Sequence, residues 1–216
     1  MTAYNRWAAE HGHSHETSYR WVNYPNVSLE QLVSYSGNEI VIGAATDAFF
    51  DAVDSLSGII ETIQKECGSA KVVLAGYSFG AMAIDIYLAS TNSSATSAIS
   101  GVALYGDPLW FDRSQGDKGL ARMLRDILIR IVDRFDLLFD DEEAYPWSPD
   151  LVRSVCYAKD PVCGAGFHSN ALDQVHQALR HMSSCGTSGV GPHLCYAEHA
   201  AGSGGSFLAE RALGGS

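Results

Sequence analysis

The sequence predicts an α/β fold, a mostly parallel sheet with helices on both faces. Short apolar runs too brief to be helices stand at 72–75, 98–105 and 151–156. The stretches between them carry apolar residues at helical spacing, and strand alternating with helix is the order that builds a parallel sheet. No repeat and no long linker divides the 216 residues, so a single domain over 19–216 is expected behind a polar N-terminal tail, 1–18.

Taken in order, Met1 to Thr17 is polar. Its alternating His11, His13 and His15 could ligate a metal if ordered, but a disordered tail is the favoured reading, because no cysteine ligand is near and apolar anchoring is slight. Tyr19 to Tyr24 reads as a short strand ended by Pro25. From about Thr46 to Cys67, Phe49, Val53, Ile60 and Ile63 recur at helical spacing. Val72 to Ala75 reads as a strand buried on both faces. A helix over Ala81 to Leu88 and a polar loop over Ser90 to Ser94 follow. The next strand, Ala98 to Tyr105, is closed by Gly106-Asp107-Pro108.

Leu120 to Leu138 carries a wide apolar stripe that a helix would lay on the sheet, with a lid or lipid-contact role as the alternative. A strand over Leu151 to Cys156 and a helix over about Ala171 to Met182 complete the alternation. Gly202 to Ser206 reads as a flexible turn before a last short helix.

Composition narrows the function. Apolar residues make up 46% and charged residues 18%, as in globular chains that fold unaided. A formal charge of -11 disfavours nucleic acid as partner, since phosphate binding wants a basic face. No run of about 18 apolar residues could span a bilayer, and no signal peptide is visible at the N-terminus. Among the five cysteines, Cys156 and Cys163 form a close pair, and Cys185 and Cys195 bracket a glycine-rich loop, so an oxidising, extracellular setting is expected.

The chemistry starts at Gly76-Tyr77-Ser78-Phe79-Gly80, set between an apolar run and a helix-prone stretch. This is the setting of a nucleophile elbow, in which small residues two before and two after the serine let a strand turn sharply into a helix. A serine hydroxyl needs a histidine to take its proton and a carboxylate to orient that histidine. Downstream, Asp107 and Asp160 both follow strands. Asp160 is favoured, because a disulfide between Cys156 and Cys163 would hold its loop in place, whereas Asp107 within Gly-Asp-Pro reads as a turn residue. Of the late histidines, His193 sits in a restricted Gly-Pro-His loop inside the segment a Cys185–Cys195 bridge would close. His168, His176, His181 and His199 read as surface or packing residues.

Gly76-Tyr-Ser-Phe-Gly-Ala81, Gly101-Val-Ala-Leu-Tyr-Gly-Asp-Pro108, Cys156-x3-Asp160-x2-Cys163 and His193-Leu-x-Tyr196, in that order, resemble the cutinase family of serine esterases. The resemblance implies a small α/β-hydrolase fold with Ser78 as nucleophile, Asp160 as orienting carboxylate, His193 as general base and a Cys156–Cys163 disulfide. Phe79 stands where the family usually has glutamine, and its backbone N–H is the expected oxyanion donor. The implied activity is cleavage of short-chain acyl esters or polyesters through an acyl-enzyme. No cofactor and no metal is expected, and the protein is expected to be a monomer that meets an ester, lipid or polymer surface. Two alternatives stand beside it: a mycolyl ester hydrolase of the phage-lysin type, and an inactive relic that binds lipid or polymer.

Overall fold

The computed structural model describes residues 2–13, 17–23, 39–91, 96–108, 150–157, 160, 163 and 191–213. In chain order the elements are α1 (Thr2–Glu10), α2 (Glu39–Glu66), β1 (Val72–Tyr77), α3 (Phe79–Ser90), β2 (Ile99–Tyr105), β3 (Val152–Val155), a 3-10 turn (Gly191–Cys195), α4 (Tyr196–His199) and α5 (Ala201–Leu213).

The three strands among the described residues are all parallel, in the order β1-β2-β3. The register pairs Tyr77 with Tyr105 and Tyr105 with Val155, so all three strands finish along one line. Two further bonds continue the ladder beyond it, Ser78 N–H to Tyr105 O at 2.8 Å and Gly106 N–H to Val155 O at 3.0 Å. The carboxyl edge of a parallel sheet is where loops from neighbouring strands converge.

Alternation along the strands divides the core. Val72 and Leu74 of β1 and Val102 and Leu104 of β2 pack with Leu56 and Ile60 of α2 and with Ala81, Ile84 and Leu88 of α3. The opposite face sets Val73, Ala103 and Tyr105 against Tyr4 of α1 and Leu208, Ala209 and Ala212 of α5. Helices therefore cover both faces, as the strand-helix order predicts. β2 is buried along both faces, whereas Ala75 of β1 is exposed, because β1 lies at the edge of the described sheet.

Three local expectations are corrected. The N-terminus is not a loose tail up to residue 13: Thr2–Glu10 is helical, and Tyr4 is buried against α5. Gly12, at a φ of 76°, ends that helix, with His13 N–H bonded to Ala8 O at 2.9 Å and Gly12 N–H to Ala9 O at 3.2 Å, the paired bonds of a Schellman stop. His11 Nδ1 donates to Trp7 O at 2.8 Å and its ring stacks on the Trp7 indole, so this histidine caps a helix. His15 lies outside the described residues, among which no group of three metal-ligating side chains occurs.

The residues from Tyr19 to Asn23 join no sheet. This segment lies along α2, where Ser55 Oγ donates to Asn23 O at 3.4 Å and Val22 meets the core, while Trp21 is 76% exposed. Aromatic β-propensity makes a strand only where a ladder partner is available.

Gly202 to Ser206 forms the first turns of α5 rather than a flexible turn. Its glycines serve close approach: a Cβ on Gly205 would lie 2.7 Å from the Ala3 Cβ, and one on Gly204 would overlap the Tyr105 hydroxyl. The expected helices over 120–138 and 171–182 lie outside the described residues, and so does Tyr24.

Candidate active site

Ser78 occupies the corner between β1 and α3 with a φ of 53°, the only non-glycine with positive φ among the described residues. The left-handed region is costly for a residue with a Cβ, and strain held at such a corner lifts the hydroxyl clear of the sheet. Gly76 permits the turn: a Cβ there would stand 2.6 Å from Gly80 O and 2.7 Å from the Ala81 Cα. Both obstacles are backbone and cannot swing aside, so the small residue demanded by the motif is a steric requirement. Phe79 opens α3 and lays its ring edge-on to Phe49 of α2 at 5.1 Å. The first N–H groups of a helix have no acceptor within it and carry the positive end of its dipole.

His193 arrives on the 3-10 turn, 115 residues later in the chain. Its Nε2 lies 3.0 Å from Ser78 Oγ, and its Nδ1 lies 2.8 Å from Asp160 Oδ2. With Nδ1–H donating to the carboxylate, the Nε2 lone pair faces the serine. Asp160 is wholly buried and His193 nearly so. Attraction between opposite charges is strong where water is excluded, so an imidazolium formed here would be held by Asp160.

The loop carrying Asp160 is closed by a Cys156–Cys163 disulfide, as expected. Cys195 is disulfide-bonded as well; its expected partner, Cys185, lies outside the described residues. Cys67 is free and exposed. Asp107, the alternative carboxylate, is buried in the turn after β2. His168, His176, His181 and the side chain of His199 lie outside what is described.

Three further residues hold the arrangement, and sequence reasoning did not single them out for it. Gly106, at a φ of 58°, packs directly against the imidazole: a Cβ there would sit 2.7 Å from His193 Cε1 and 2.9 Å from Nδ1. Tyr77 donates its hydroxyl to His193 O at 2.9 Å, and its ring lies 5.0 Å from the imidazole. Tyr196 donates to Asp160 Oδ2 at 2.6 Å while accepting the Tyr157 N–H at 2.9 Å. Burial, and then the Asp160 charge, push the Tyr77 phenol up to about 12. The same two causes raise the Tyr196 phenol further, so both are neutral donors across the physiological range. The available signal for Tyr196 was its place one turn after His193 in a short helical segment, which turns both side chains toward one side.

A parallel sheet covered by helices, with a strained serine at its carboxyl edge, is the small α/β-hydrolase fold anticipated from the sequence. The family model for cutinase matches residues 30–212, and the chain belongs to the cutinase family. It is accordingly a carboxylic-ester hydrolase. Among solved structures the chain is similar to an iodinated complex of acetyl xylan esterase, with a TM-score of 0.51 and 18% identity over 88% of this chain and 80% of that one. At that identity the likeness speaks to the fold. No curated protein matches the chain significantly.

Proposed function

We propose that the protein cleaves short-chain acyl esters or polyesters through an acyl-enzyme on Ser78. The observation that carries this reading is the continuous line from Ser78 Oγ through His193 to Asp160, with separations of 3.0 and 2.8 Å. His193 Nε2 takes the hydroxyl proton as Ser78 Oγ attacks the ester carbonyl, and Asp160 steadies the imidazolium that forms. The Phe79 N–H donates to the oxyanion of the tetrahedral intermediate. His193 returns its proton to the leaving alkoxide. A water molecule, deprotonated by the same nitrogen, then releases the acid and restores the serine.

No step needs a cofactor. A hydroxyl and an imidazole already at hydrogen-bond distance favour turnover over an inactive binding relic. The two disulfide-bonded sites favour an extracellular setting. The test is hydrolysis of p-nitrophenyl esters from butyrate to palmitate by the wild type and by Ser78→Ala. Turnover lost in the variant, and highest on the shorter acyl chains, is the expected result. Equal background rates would refute the reading, and mycolate esters cleaved while short esters are not would move it to the mycolyl hydrolase alternative.

A further inference from the structure

Asp160 Oδ2 accepts two hydrogen bonds at once, from His193 Nδ1 at 2.8 Å and from the Tyr196 hydroxyl at 2.6 Å. The shorter of the two comes from a residue with no part in the proton transfers. Tyr196 is 3% exposed, and its ring is fixed by stacking on Tyr157 at 4.5 Å and by edge contacts with Tyr105 and His193. Its oxygen also receives the Tyr157 N–H and lies 3.3 Å from Cys163 Sγ, so one atom ties the carboxylate to the disulfide-closed loop that carries it.

We infer that Tyr196 is a positioning residue that sets, through Asp160, how strongly the site holds the protonated form of His193, and thereby sets the lower pH limit of turnover. This rests on the triad reading above. A hydroxyl donating to Oδ2 draws negative charge away from the oxygen that faces the imidazole, so Asp160 stabilises the imidazolium less than an unshared carboxylate would. Turnover, which needs the imidazole as the acceptor of the Ser78 proton, is thereby less opposed by acid. Burial keeps the Tyr196 phenol protonated, so the donor persists throughout the working range.

Among the described residues, the titratable groups around this point can be named. Tyr77 approaches from β1, Tyr105 from β2 and Tyr157 from the loop after β3, each with its phenol raised by burial. Arg153 of β3 acts on Tyr105, and the buried Asp107 follows Gly106 in the turn beside the imidazole. All of these are unchanged by substitution at 196.

The test is the pH profile of kcat/KM for the wild type, for Tyr196→Phe, and for a chain with 3-fluorotyrosine placed at 196 alone. It is run together with an NMR titration of the His193 ring in each protein. Removing the donor raises the acid limb and the His193 titration by about half to one pH unit, a fraction of the roughly 1 to 3 units by which an adjacent opposite charge moves a titrating group. The fluorinated ring, a stronger donor of nearly the same shape, moves both to lower pH. Opposite movements of the two variants support the inference, because a loosened loop would not reverse sign between them. Coincident profiles and titrations, or movement in one common direction, overturn it. Should the wild type show no Ser78-dependent turnover, the esterase reading fails by itself, and the NMR titration still decides the role of Tyr196.

Discussion

Gly106→Ala offers a quantitative check on how His193 is seated. Two costs arise. The residue has a φ of 58°, where an L-residue costs about 1 to 2 kcal/mol. The new methyl would also stand 2.7 Å from His193 Cε1, whereas ordinary contact begins near 3.4 Å, so the ring must recede by about 0.7 Å. A ring shifted by that much cannot keep both its 3.0 Å contact with Ser78 and its 2.8 Å contact with Asp160 in good geometry. A displacement of about 1 Å at a reacting centre costs roughly 100-fold. The expectation is therefore kcat/KM lowered by about two orders of magnitude, with Tm lowered by about 2 to 8 °C. Gly12→Ala is the control: its φ is 76°, but a Cβ there has nothing within 4 Å. It should show a similar fall in Tm with kcat/KM intact. Hydrolysis of p-nitrophenyl butyrate and thermal unfolding by circular dichroism measure both. A folded Gly106→Ala enzyme retaining a third or more of wild-type kcat/KM would refute the argument.

Two substitutions within α5 should differ in sign. Gly202→Ala meets open space and should stabilise by roughly 0.5 kcal/mol through helix propensity, whereas Gly204→Ala must displace Tyr105 and should cost about 1 to 3 kcal/mol; urea midpoints read both, and equal effects would contradict the packing. Alkaline stability follows from the raised phenols. The native state keeps protons on Tyr77 and Tyr196 that the unfolded chain releases near pH 10, so stability is whole below pH 10 and declines as pH rises toward 12 and beyond; a flat urea midpoint from pH 9 to 11.5 would contradict this. Replacing Cys156 and Cys163 together by serine opens a loop of sequence separation 7, which should cost about 2 to 3 kcal/mol and, by loosening Asp160, depress kcat at least tenfold. Undiminished turnover in that variant would show that the bridge does not hold the carboxylate.

Local pattern made much of this legible. The apolar runs that became β1, β2 and β3 are short and uninterrupted, and the elbow motif lies between one of them and a helix, so the strand-turn-helix corner could be read from a few residues. Asp160 and His193 could be reached because the cysteines around the first and the Gly-Pro before the second mark constrained loops. What escaped was long-range packing. Thr2–Glu10 reads as polar until Tyr4 is seen to fit between α5 and the sheet, a contact with a partner some 200 positions away in sequence. Gly204 and Gly205 look like flexible spacers because propensity is local, whereas their use is to admit Tyr105 and α1. Gly106 hid for the same reason: a glycine closing a strand resembles any turn until the imidazole is placed against it.

The central claim, that Ser78 becomes the acylated atom, is tested most directly by intact-mass measurement after incubation with an alkyl p-nitrophenyl phosphonate. The account predicts one adduct, located on Ser78, that abolishes esterase activity and is absent from Ser78→Ala. Turnover that survives full treatment, or an adduct on another residue, would contradict it.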